Sequence, residues 1–127
     1  MSNAQLIHET WESISKGELG PLEAVLAPDA KWRAVEDGPW NCENRSMIIG
    51  AMRANQEAGL TGNIEEIQEF GGRAIVSFRP TSPRSPDSWP LDDGIRYVVV
   101  STANGLITEL KGCANRQVAL AYVHDAG

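Results

Sequence analysis

Acid–base work on a small molecule needs a carboxylate, imidazole, phenol or thiol held against the substrate, and this sequence offers only a few. Glu36 and Asp37 stand together in EDGPWNCENR (36–45), which its Gly, Pro and Asn content marks as a loop. Glu43 shares that loop, Glu109 falls in an apolar-alternating run, and His8 and His124 lie near the two ends of the chain. Tyr97, in GIRYVVVS (94–101), brings a phenol that can donate to a carbonyl. The bland reading of Glu36, Asp37, Glu43 and both histidines is solvated surface. Cys42 and Cys113 have no CxxC spacing and read as buried free thiols. HxH, HExxH and DxD spacings are absent, and GLTGNIEE (59–66) runs in the helix-to-strand direction, the reverse of a phosphate loop. Neither a metal nor a cofactor is therefore expected.

The remaining chemistry is aromatic and apolar. Trp32 lies in KWRAV (31–35) and Trp40 follows in the loop, while alternation puts Ile95 and Val99 on the side of Tyr97. Rigid rings with one phenolic handle suit a site for a flat hydrophobic molecule. The same rings would equally fill a core with no cavity. Trp11 falls on the apolar stripe of a helix and reads as core, whereas Trp89 sits in a Pro-rich stretch and must pack on something.

The elements that would position these groups follow from periodicity. Leu6, Ile7, Trp11 and Ile14 recur at helical spacing over 4–16, and Gly17 and Gly20 stop that helix. Pro21 opens a short helix over 21–26, and Pro28-Asp29 turn the chain into a strand at 31–35. Ser46 is placed to cap a third helix over 47–58, with Ile48, Ile49 and Met52 as its stripe. Strands follow at 63–70, 73–79, 94–101 and 106–113, joined by hairpin signals at Gly71-Gly72 and Ala103-Asn104-Gly105. Residues 115–123 read as a closing helix. The stretch 80–93 is long for an interior connection and carries four prolines, which suits a lid, a dimer arm or a partner site.

Helices gathered against an antiparallel sheet make an α+β domain, here a single one over 1–127. Strand 94–101 is apolar on both faces, with Ile95, Tyr97 and Val99 on one and Val98 and Val100 beside Arg96 on the other. Helices cover one face, and a second copy of the chain is expected on the other, giving a homodimer. The chain has 127 residues, 42% hydrophobic and 22% charged, with a net charge of −6. That acidity, without a basic cluster, speaks against nucleic acid. No apolar run is long enough for a membrane helix and the N-terminus has no signal pattern, so a cytoplasmic protein is expected.

TWESISKGELGPLEAVLAPDAKW resembles the opening of nuclear transport factor 2-like proteins, which include ketosteroid isomerases and SnoaL-like polyketide cyclases. The shared features are an aromatic on the first helix, Gly17-Glu18, a short helix, and an Asp29-Ala30 step into the first strand. NGLITEL and RQVALAY match the family's closing hairpin and end, and Arg45 matches a Gly-Arg position before the third helix, with Asn44 replacing the glycine. The fold this resemblance implies is a cone-shaped, curved sheet wrapped round helices, a cystatin-like α+β barrel, often dimeric.

Carried over by ungapped spacing, the isomerase's general-base aspartate falls on Ala34, its oxyanion-donating tyrosine on Thr10 and its second acid on Tyr97. A methyl cannot take a proton, so ketosteroid isomerisation by that route is not expected. The function expected is binding of a small hydrophobic molecule in a pocket lined by Thr10, Trp32, Trp40, Tyr97 and Val99. An isomerase, dehydratase or cyclase using Glu36 or Asp37 with Tyr97 as donor is the alternative from a second class, and a protein-interaction module built on 80–93 is a third.

Overall fold

The computed structural model describes residues 3–33, 41–57, 62–80 and 95–125. Helix α1 (Asn3–Ser15) ends where Gly17 takes φ 85°, a left-handed turn that glycine enters without a steric penalty. Helix α2 (Gly20–Val25) carries proline in its first turn and runs directly into β1 (Leu26–Arg33). Helix α3 (Arg45–Glu57) is capped by Asn44, whose Oδ1 accepts the Met47 N–H at 3.0 Å. The cap is thus Asn44 and not Ser46, and Asn44 does not adopt positive φ.

Strands β2 (Gly62–Phe70), β3 (Arg73–Pro80), β4 (Arg96–Ala103) and β5 (Leu106–Cys113) form the expected hairpins. Gly71 turns the first at φ 64°, and Asn104 and Gly105 turn the second at 55° and 78°. Helix α4 (Arg116–Asp125) is capped by Asn115, whose Oδ1 accepts the Val118 N–H at 2.9 Å. Ala34, Glu36, Asp37, Trp40 and Trp89 lie outside the described residues.

The five strands make one curved, unclosed sheet in the order β1-β5-β4-β3-β2. Three of the four neighbouring pairs are antiparallel, but β1 lies parallel to β5 at the sheet edge. β1 also begins earlier than its apolar run suggested, because Leu26 already pairs with Ile107 and the register then slips before Lys31. Pro28, which has no N–H to give, falls within that slip on an edge strand, where it costs no ladder bond. Further register shifts at Ile64/Glu66 and Ser101/Thr102 bend the sheet.

Two apolar clusters lie on opposite faces. On the inner face Ala30, Ala74, Val76, Val100 and Leu110 pack with Ile7 of α1, Leu22 of α2 and Ile48 and Ile49 of α3. On the other, Ile75, Tyr97, Val99 and Cys113 pack with Ala119, Leu120 and Val123 of α4. The face on which a second copy was expected is thus covered at its centre by the chain's own last helix. Among the described residues no helix is long and apolar enough to cross a membrane.

Candidate functional site

The alternation of β4 decides which side chains meet. Its ladder to β3 runs without interruption from Arg73↔Ser101 to Phe78↔Arg96, so Val100, Val98 and Arg96 share the inner face and Tyr97 and Val99 share the other. Trp32 is opposite Leu110 on the inner side and packs on the inner cluster. Trp32 and Tyr97 therefore do not line one hollow, a correction to the sequence reading. The reason is that an ungapped count from Gly105 that errs by one residue exchanges the faces of a strand. Tyr97 and Val99 are buried against α4, away from Trp32.

Thr10 does lie on the inner side of α1, buried one helical turn after Leu6. Its hydroxyl donates to the Leu6 carbonyl at 2.7 Å, which occupies the only proton it has to give. It can accept from a ligand but not stand in for a donating tyrosine. Trp11 meets Phe78 edge-on, with ring centroids 4.9 Å apart, so a ring from α1 reaches a ring from β3. Phe78 in turn lies across Gly62, where a Cβ would come within 2.1 Å of its Cζ. Only glycine at that position leaves the ring its place.

Burial along β4 is uneven in a way that marks the inner face. Tyr97 and Val99 are buried, yet Val98 between them stays partly exposed although it points under the helices. Leu6, Ile14, Trp32, Ile64 and Ile67 are likewise apolar, directed at the inner cluster and only partly buried. Two residues from Val98 on the same face, hence roughly 7 Å along the strand, is Arg96, only 4% exposed. Burial lowers the pKa of its guanidinium, which disfavours but does not abolish the charge. Arg96 makes an interaction of its own. It is the site residue the sequence reading passed over, although its alternation with Val98 and Val100 was the signal.

The carboxylates are placed elsewhere. Glu69, paired with Ala74, is exposed and accepts the Ala4 N–H at the start of α1 at 2.9 Å. Glu43 is exposed and pairs with Lys31 at 3.5 Å. Glu109 lies on the α4 face, where it accepts the Tyr122 hydroxyl and stands 4.0 Å from Arg33. Burial first, then that bond and the charge of Glu109, push Tyr122 up to about 12. Arg73 closes the same corner, donating to the Tyr122 carbonyl at 3.2 Å and stacking 5.3 Å from its ring centre.

Ser77 and Ser101 on this face keep buried hydroxyls with no hydrogen-bond partner among the described residues. His8 is exposed, and His124 is exposed with its ring edge-on to Phe70. Cys42 and Cys113 are free thiols in opposite clusters, and burial pushes both up from the ordinary thiol value, so neither is poised as a nucleophile. Cys42 instead holds the edge of β1, exchanging backbone hydrogen bonds of 2.8 and 2.9 Å with Trp32. Among the described residues no three His, Cys, Asp or Glu side chains converge as a metal site would require.

No family model matches the sequence, and no curated protein does. Solved structures do resemble it. One, described as a proposed polyketide cyclase from Sinorhizobium meliloti, has a TM-score of 0.66 and 18% identity over 85% of this chain and 93% of that one. An NTF2-like protein of unknown function from Burkholderia pseudomallei has 0.67 and 21%, over 97% and 98% of the two chains. A de novo designed protein with a curved β-sheet has 0.68 and 14%, over the full length of both. The chain therefore has the NTF2-like, cystatin-like α+β fold expected from its opening run. That a designed chain shares the architecture is a reminder that the fold alone assigns no activity.

Proposed function

We propose that the protein binds a small, largely apolar molecule between the inner face of its sheet and helix α1, as a SnoaL-like domain would. The observation that carries this reading is Val98, partly exposed in mid-sheet between two sealed neighbours and directed under the helices. A close-packed interior leaves no such side chain open. Trp11, Trp32 and Phe78 supply rings at or beside the same face, the lining that flat hydrophobic ligands favour. Likeness to a protein described as a proposed polyketide cyclase makes aromatic and polycyclic compounds the first to try. We assign no proton-transfer step: Glu69, the sheet carboxylate paired with Ala74, is engaged at the helix start, and Glu9 and Glu12 of α1 are exposed.

Val98→Phe tests the reading without knowing the ligand. With room at the inner face the variant should fold with stability within about 1 kcal/mol of wild type, whereas overpacking a filled core costs about 1–3 kcal/mol. The same variant should lose any rise in melting temperature that steroids, polyketides or aromatic acids give the wild type. A large destabilisation, together with no compound raising the wild-type melting temperature, would sink the proposal.

A further inference from the structure

We propose that α4 is a displaceable cover, and that the sheet face beneath it is the contact through which two copies of this chain associate when α4 lifts. Two features of the covered state show how lightly the helix is held. Of the described side chains of α4 only Ala119 is sealed, while Leu120, Tyr122 and Val123 stay partly exposed and Val118 is exposed. A helix whose one sealed contact is a methyl grips the row of Ile75, Tyr97, Val99 and Cys113 weakly, because the grip scales with the apolar area removed from water. The hydroxyls of Ser77 and Ser101, 4% and 9% exposed, lie on the same face and have no hydrogen-bond partner among the described residues. The middle of a helix spends its main-chain donors and acceptors internally, so α4 does not supply what the two hydroxyls lack, and their burial weakens its docking.

A second copy of the same face does supply it. Two sheets packed face to face keep their strands aligned, about 10 Å apart. A two-fold axis running along the strands, between β3 and β4, sets each residue of β3 opposite its own ladder partner in the second copy. Ile75 then meets Val99, Arg73 meets Ser101, and Ser77 meets Tyr97, whose phenol oxygen accepts as well as donates. Arg73 is released for this by the departure of Tyr122, whose carbonyl it holds in the covered state. The same axis lays Glu66 and Gln68, freed of Arg116, over the side of the face that carries Lys111 and Arg33. An axis across the strands would instead lay Lys111 and Arg33 over their own copies, so charge selects the first arrangement.

Leu120→Asp loosens α4 without touching the strand face. It is compared with wild type by sedimentation equilibrium and by labelling with an aromatic disulfide reagent, the labelled cysteine being identified by peptide mass. Cys113 reports the lifting of α4, and Cys42, in the opposite cluster, reports that the rest stays folded. Both copies must open to associate, so an open fraction about tenfold larger strengthens the dimer about a hundredfold. In the variant, Cys113 should label about tenfold or more faster than in wild type at high dilution, and slow again as rising concentration forms the dimer. Arg73→Glu in the same background should return it to monomer, with Cys42 still slow. Fast labelling of Cys113 in a variant that sediments as a monomer at every concentration would overturn the proposal. A dimer indifferent to Arg73→Glu would do the same, and so would a Cys113 no faster than in wild type. Should Cys42 label as fast as Cys113, the milder Leu120→Ala takes the place of the aspartate variant and is read in the same way.

Discussion

The two faces of one sheet close in different ways. Under α4, Ile75 and Val99 are sealed, and the rim is tied by side chains matched to one another: Tyr122 to Glu109, Arg73 to the carbonyl and ring of Tyr122, and Arg116 to Glu66 and Gln68. Under α1 to α3 the same strands present Val98, Ile67 and Ile64 partly open and a buried arginine. One face is tied at its rim by matched polar groups, and the other, which holds the larger apolar cluster, keeps several side chains partly exposed and a buried arginine. Because residues on adjacent positions of β4 belong to opposite faces, the difference is resolved at single-residue steps.

The sharpest break would come from cavity cost. Ile75→Ala removes a side chain only 1% exposed beneath α4 and should cost about 2–4 kcal/mol, since the site cannot fully collapse. Val98→Ala, on the open face, should cost under about 1 kcal/mol. Urea denaturation of both variants checks the contrast, and equal costs would erase the distinction between the faces.

A smaller effect belongs to the α4 rim. Tyr122→Phe deletes the bond to Glu109 and should cost about 1 kcal/mol near neutral pH. The phenol keeps its proton to about 12 in the folded chain, above the ordinary value of 10.0 for a free tyrosine. Its contribution is therefore whole below about pH 10 and is lost as pH rises through about 12. Between about pH 9 and about pH 11 the urea midpoint should fall further in wild type than in Tyr122→Phe. A parallel decline would show that Tyr122 is not the group responsible.

The least effect is expected from Arg116→Ala. Its bonds to Glu66 and Gln68, at 2.9 and 2.6 Å, lie at an exposed edge, and exposed pairs contribute about 0.5 kcal/mol or less. A loss above about 1 kcal/mol in a thermal melt would mean that the rim, and not the apolar contact, holds α4 in place.

The elements were legible because each rests on a short-range pattern: the Leu6–Ile14 stripe for α1, Gly71 and Asn104-Gly105 for the hairpins, and the apolar alternation of β3 to β5. The fold followed from their order. What alternation could not supply was the absolute sense of a face. It groups Tyr97 with Val99 and Arg96 with Val98, but which group looks at α1 depends on where α4 lands, a tertiary fact. Hence Tyr97 was expected beside Trp32 and is found across the sheet from it. The parallel pairing of β1 with β5 was equally hidden, because it depends on residues far apart in the chain and no turn joins them. Arg96 was visible as an arginine in an apolar alternation, but its burial comes from the packing of the whole interior.

That edge pairing bears on the order of assembly. Leu26 and Trp32 of β1 find their partners in Ile107 and Leu110, near the far end of the chain, so the first strand waits for the last. Contacts of such long range form slowly because a long loop must close before they reward it. During synthesis α1, α2 and β1 emerge with only the bridge from Trp32 to Cys42 to form until the β4–β5 hairpin has followed. The wall that carries Trp32 is then set in place last, and a chain cut before Leu106 would lose the support of its beginning together with its end.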